Sequence, residues 1–200
     1  ELMDHLRLRD NPTALTAVTV ALWSTGAVLG KLLSERSGYL ELVIGFLIAA
    51  ATIVIIRMTL LRRRFPRKLF TVRTIAVGIV GYGLYWICYF KCFRLSDSAS
   101  LPVLFNYTWP IFTVIFSHMM NSGSESPARV KLIELGGMAL GLAGIWFAVS
   151  SGTEQFTPQL AGVIGWGLAA GASYGLFSAF SATIAKEDQL DFLLLAIVAS

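Results

Sequence analysis

The chain alternates long apolar runs with short polar connections. A helix needs about 20 mainly apolar residues to cross a bilayer. Six runs meet that length: roughly Thr13–Leu33, Leu40–Leu61, Thr74–Phe93, Ala99–Met120, Val130–Val149 and Leu160–Ala185. A seventh starts at Phe192 and reaches only Ser200, which is too short to cross. The pattern, together with Glu1 in place of a starting Met, predicts a portion of a longer protein. The first run is too long for a cleavable signal peptide, and no small-x-small cleavage site follows it. The expected fold class is all-α: a polytopic helical membrane protein with six full transmembrane helices and the start of a seventh.

Composition removes the competing classes. Of 200 residues, 56% are hydrophobic and 14% charged, with a mean hydropathy of +0.69. A soluble domain carries about 25% charged residues, so this chain lacks the charge to cover a soluble surface. Disordered, collagenous and nucleic-acid-binding readings fail on the same count. Barrel strands would read as alternating segments of about ten residues, not as long apolar runs. Cys88 and Cys92 sit inside an apolar run, so neither a disulfide framework nor a zinc site is indicated.

The net charge of +4 matters less than its distribution. Arg7, Arg9, Arg57, Arg62, Arg63, Arg64, Arg67, Lys68, Arg73, Arg129, Lys131 and Lys186 fall on one side of the predicted spans. Lys31, Arg36, Lys91 and Arg94 fall on the other. The positive-inside rule places the N-terminus and the second, fourth and sixth connections in the cytoplasm. The Arg62–Lys68 run is read as this topology signal rather than as a phosphate or anionic-lipid site.

Lipid gives helices no hydrophobic drive toward each other, so close packing relies on small residues. Gly26 and Gly30 in the first run, Gly137 and Gly141 in the fifth, and Gly167, Gly171 and Gly175 in the sixth are spaced for it. Each set is expected to pack within the molecule.

No catalytic set is evident. His5 and His118 stand far apart, and there is no Gly-x-Ser-x-Gly or His-x-x-x-His. No catalytic residue, metal or cofactor is expected. Charge at mid-membrane usually marks an ion path, but Lys31, Glu41, Arg57, Lys91 and Glu134 lie near run ends. Thr13–Gly30 lacks the acidic residue that the small multidrug antiporters carry in their first span. Polar aromatics are the stronger signal. Tyr82, Tyr85, Trp86 and Tyr89 recur at helical spacing on one face. The fourth run carries Asn106-Tyr107-Thr108-Trp109-Pro110. Pro110 has no N–H, so the Asn106 carbonyl loses its helical partner and the helix kinks. Broken backbone at membrane depth is tolerated where it faces protein or a water-filled cavity. These residues offer donors, acceptors and stacking faces without net charge, which suits a small flat or zwitterionic solute. As ordinary packing the same aromatics would be interfacial belts and Pro110 a plain kink.

Several segments resemble a known family. Ala21-Leu22-Trp23-Ser24-Thr25 with Lys31 resembles the opening helix of EamA-type transporters, members of the drug/metabolite transporter superfamily. The fourth run followed by Gly136-Gly137-Met138-Ala139-Leu140-Gly141-Leu142-Ala143-Gly144-Ile145 resembles that family's P…G…L…G pattern, and Gly162–Lys186 resembles the first helix of its second repeat. Leu22–Thr25, Tyr85–Cys88 and Asn106–Thr113 are similar to the bacterial aromatic amino-acid exporters. The resemblance implies ten helices in two inverted five-helix repeats with a midplane site. It implies a cytoplasmic segment over residues 1–12, a first repeat over 13–150 and the start of a second over 158–200. Carried onto matching positions, Tyr107 and Trp109 become cavity residues, with Tyr82 and Tyr85 or Trp86 opposite, and Tyr174 matches a Tyr of the family's sixth span. Two departures stand out. Gly171 takes a place where the family commonly has Trp, and a glycine there would enlarge the cavity or remove a stacking face. The turn after the fourth run is longer than usual, with Glu125 the counterpart of the family's Gly-Glu ending.

The reading that follows is a multi-pass transporter of the inner (plasma) membrane. It would move a small metabolite by alternating access, as an amino-acid exporter favouring aromatic amino acids. The expected path residues are Trp23, Tyr82, Tyr85, Trp86, Asn106, Tyr107, Trp109 and Tyr174, with Pro110 at the kink. Its partners are the solute and the bilayer, not nucleic acid. Other readings are a nucleotide-sugar or phosphorylated-metabolite exchanger of the same fold, and a non-transporting scaffold or receptor. An intramembrane enzyme ranks last.

Overall fold

The computed structural model describes residues 12–60, 67–120, 128–150 and 157–199. All regular structure among them is helical. In chain order the helices are α1 (Pro12–Arg36), α2 (Tyr39–Leu60), α3 (Val72–Val77), α4 (Leu84–Leu95), α5 (Ser100–Asn106), α6 (Trp109–Met120), α7 (Ala128–Ser150), α8 (Pro158–Ser181) and α9 (Gln189–Ala199). Helix thus occupies each of the six predicted runs. The basic residues Arg62, Arg63 and Arg64, along with His5 and Glu125, lie outside the described residues.

The third run is one continuous rod with a wide turn inside it. Between α3 and α4 the backbone winds as a π-helix over Gly78–Gly83. Such turns are rare and cluster at functional sites. Thr71 starts the rod, its hydroxyl accepting from the Thr74 N–H at 3.1 Å. The whole rod, Val72–Leu95, and α8 are each long and apolar enough to cross a membrane. At 24 residues each, they reach about 36 Å. Thr157 caps α8 in the same way, accepting from the Leu160 N–H, with Pro158 at the first helical position.

α8 is the axis of the bundle, packing along α4 and α6 and against α5 and the π-turn. Its small stripe explains how. A Cβ on Gly167 would sit 2.5 Å from Phe105 Cβ, one on Gly175 would sit 2.5 Å from Phe112 Cβ, and one on Gly171 would overlap Thr108 Oγ1. Residues four apart share a face, so the three glycines form a seat for the broken helix α5–α6. Gly30 likewise lies against the Phe93 ring. The expectation fails for α7: Gly137 and Gly141 meet nothing within 4 Å, and α7 makes no extensive helix contact among the described residues. Spacing alone records that small residues are present, not whether a neighbour comes close. Of the two consequences open to a glycine at 171, a larger cavity or a lost stacking face, the first does not arise at this point, because Thr108 Oγ1 occupies the space a Cβ would take.

Two boundaries differ from the sequence reading. α8 ends at Ser181 rather than Ala185, and a turn and a 3-10 turn (Lys186–Asp188) follow. α9 begins at Gln189, ahead of Phe192, with Asp191 in its first turn, where a carboxylate suits the positive helix end.

Polar ties close both ends of the bundle. At one end Lys31 donates to the carbonyls of Phe93 and Ser96 and pairs with Glu35 at 3.1 Å, while Gln159 Nε2 donates to the Leu95 carbonyl at 2.7 Å. These donors serve the unsatisfied carbonyls at the C-terminus of α4. At the other end Lys68 pairs with the buried Asp188. Beneath that pair lies the main core, where Leu69, Tyr82, Phe177, Phe180, Phe192 and Leu195 meet.

Candidate functional site

The π-turn sets the entrance to the aromatic face. It is held by close backbone approach: a Cβ on Gly81 would lie 2.8 Å from Phe177 Cβ, and one on Gly78 would lie 3.0 Å from Ala196 Cα. Tyr82 leaves this turn and Tyr85, Trp86 and Tyr89 leave α4, one helical stride apart. Their rings form a ladder. Tyr82 lies 6.1 Å from Trp86, Trp86 lies 4.9 Å from Tyr85, and Tyr85 stacks on Tyr89 at 5.5 Å. The Trp86 indole faces the Tyr82 hydroxyl.

The opposite wall comes from α8 and the broken helix. Tyr174 reaches Tyr85 at 5.0 Å and takes the edge of Trp109 at 5.4 Å and 90°. These separations are those of favourable tilted and T-shaped aromatic pairs. Phe177, one turn on, reaches Tyr82 at 5.2 Å. Six of the path residues predicted from sequence therefore meet in one place: Tyr82, Tyr85, Trp86, Asn106, Trp109 and Tyr174.

The break is built by Thr108 and Pro110. Pro110 cannot donate to Asn106, and Thr108 turns its hydroxyl back onto the Phe105 carbonyl at 2.7 Å. Tyr107 forms the corner at φ −64°, ψ 2°. α6 then restarts at Trp109, tied down by Thr113 Oγ1 donating to the Trp109 carbonyl at 2.9 Å. Asn106, at the end of α5, places its amide beside the Tyr85 hydroxyl. Its Oδ1 is buried without a hydrogen-bond partner.

Other predicted residues go elsewhere. Tyr107 lies beside Tyr89 but is 54% exposed, and the Pro110 ring faces outward. The Trp23 side chain lies outside the described part. His118 bonds its own helix through Nδ1 and the Val114 carbonyl at 2.8 Å. Cys88 and Cys92 are free thiols, Cys92 donating to the Val163 carbonyl at 3.2 Å. Among the described residues no group of three His, Cys, Asp or Glu is placed to hold a metal.

Sequence reasoning missed Phe177, Asp188 and Asp191. Both carboxylates are buried, at 6% exposure. A weak signal existed, because each lies just before the apolar run of α9. At the other end, the Lys31 tie joins residues more than 60 positions apart, a pairing that local pattern does not carry.

The arrangement offers rings, hydroxyls and one free amide oxygen, with no charged side chain in the ladder. It has the means to stack and hydrogen-bond a solute but holds no nucleophile–base pair. No curated protein and no solved structure matched the chain. A model of the EamA-like transporter family matched residues 12–150. That stretch takes in α1 through α7, including the π-turn, the tyrosine ladder and the broken helix. The chain belongs to the EamA-like transporter family of multi-pass membrane transporters.

Proposed function

We propose that the protein carries a small organic solute across the inner (plasma) membrane by alternating access, as an amino-acid exporter favouring aromatic amino acids. The observation that supports this most is the ring ladder of Tyr82, Tyr85, Trp86, Trp109 and Tyr174 around a helix broken at Asn106. Aromatic faces give an aromatic side chain large contact area and geometric preference. Uncharged hydrogen-bonding groups suit a zwitterion. A break of this kind at membrane depth is a recurring device for solute sites. In this reading residues 13–150 are the first five-helix repeat and 158–200 open a second, inverted one. The basic connections and the N-terminus face the cytoplasm.

Exchange of nucleotide sugars or phosphorylated metabolites is the weaker reading. An anion would need a cation in the wall, but Lys31 is engaged by two carbonyls and Glu35, and Lys91 is exposed. A non-transporting scaffold would predict no flux at all. The test is flux of labelled phenylalanine, tyrosine and tryptophan through the intact protein in proteoliposomes. Saturable flux that Trp109→Ala removes, with helicity unchanged, is the expected result. Flux equal in parent and Trp109→Ala would remove the ring ladder from the path.

A further inference from the structure

We propose that Asn106 Oδ1 is the acceptor for an amino group on the solute, so that the protein selects amines and zwitterions over acids that lack an amine. The proposal rests on the transport reading above and assigns the solute's polar contact to one atom.

A buried amide oxygen without a donor is costly, and native structures leave few of them. Asn106 has two oxygens at the break, and they differ. Its main-chain carbonyl, deprived of the Pro110 N–H, is turned onto α8, where it lies 3.4 Å from the Cβ position of Gly171. The α8 backbone covers it on that side. Its side-chain oxygen is buried and unpaired, in an amide that lies beside the Tyr85 hydroxyl. One acceptor is therefore left over inside the ring cluster.

Its surroundings restrict what fits it. Tyr85, Tyr174 and Trp109 stand in sequence at 5.0 and 5.4 Å. An ammonium brings the donors the oxygen lacks and is attracted to aromatic faces. A carboxylate or phosphate brings only acceptors and would set oxygen against oxygen. No carboxylate belongs to the ring ladder, so discrimination at this point falls to the neutral acceptor and the rings. Thr108 fills the space beside Gly171, which keeps the break from opening into a larger polar pocket.

The experiment reads binding separately from transport. Phenethylamine has the ring and amine without a carboxylate, and 3-phenylpropionate has the ring and carboxylate without an amine. Each is titrated into the intact protein while quenching of tryptophan fluorescence is followed, with Trp86 and Trp109 as the reporters. Phenethylamine should quench saturably at a Kd about tenfold or more below that of 3-phenylpropionate. Asn106→Leu should abolish that preference, and Asn106→Asp, which keeps the shape and adds charge, should strengthen it. Equal affinity for the two compounds in the parent protein, or a preference unchanged in both variants, overturns the proposal. If phenylalanine is not carried but phenethylamine still binds in an Asn106-dependent way, the amine site stands and the amino-acid exporter reading falls.

Discussion

Two glycines on α8 make opposite predictions for the same substitution. Gly165 meets nothing within 4 Å, whereas a Cβ on Gly175 would lie 2.5 Å from Phe112 Cβ, 2.9 Å from Thr113 N and 3.0 Å from Phe112 C. Two of those three atoms are backbone, so α6 would have to move as a unit. In an exposed helix interior, Gly→Ala gains about 0.5–1 kcal/mol because alanine loses less backbone freedom on folding. Forcing an extra methyl into a packed contact costs typically about 1–3 kcal/mol. Gly165→Ala should therefore stabilise, and Gly175→Ala should give up the same gain and lose more. The two variants should part by about 1–3 kcal/mol, or roughly 2–12 °C in Tm at about 2–4 °C per kcal/mol. Thermal unfolding of each purified variant, followed by helicity or by thiol exposure, reads the difference. Because both sites share one helix, propensity cancels in the comparison. If Gly175→Ala melts at or above Gly165→Ala, the seat of α6 on α8 is wrong.

Three further outcomes follow from the same contacts. Lys31→Met leaves the α4-end carbonyls without their ammonium and should cost about 1.5–3 kcal/mol, the value of hydrogen bonds to a charged group; Lys31→Arg should recover part of the lost Tm. The Lys68–Asp188 pair is lopsided, with side chains 62% and 8% exposed. Lys68→Met strands a buried carboxylate and should lower Tm more than Asp188→Asn, which leaves no buried charge behind. Cys92 is fully buried against Val163, so maleimide should label it slowly in folded protein and quickly at the unfolding midpoint; fast labelling at low temperature would contradict the α4–α8 contact.

Much of the site was legible in the sequence because its causes are local. Pro110 lacks an N–H wherever it stands, so the break at Asn106–Thr108 could be placed without coordinates. Tyr85, Trp86 and Tyr89 share a face by helical stride alone. The π-turn was not legible: Gly78, Gly81 and Gly83 permit a wide turn, but Phe177 and Ala196 impose it from more than 90 positions away. The same limit separates the glycine stripes. Gly137 and Gly141 read like Gly171 and Gly175, and only the partner helix tells an open face from a filled one. Tyr174 had no local signal and entered through family resemblance, and the structure places it between Tyr85 and Trp109.

The neutrality of the ring ladder has an electrical meaning. A charge that moves across the whole membrane exchanges about 2.3 kcal/mol with each 100 mV of potential. In the proposed transport reading Tyr82, Tyr85, Trp86, Asn106, Trp109 and Tyr174 bring none to the solute's wall, and Lys31, at one end of the bundle, pairs with Glu35 and is held by main-chain carbonyls. On that reading a rearrangement confined to these six side chains would move no side-chain charge through the field, so voltage dependence of flux would report the charge of the solute and of any ion carried with it. A zwitterion would pass indifferent to the membrane potential, and an amine would not.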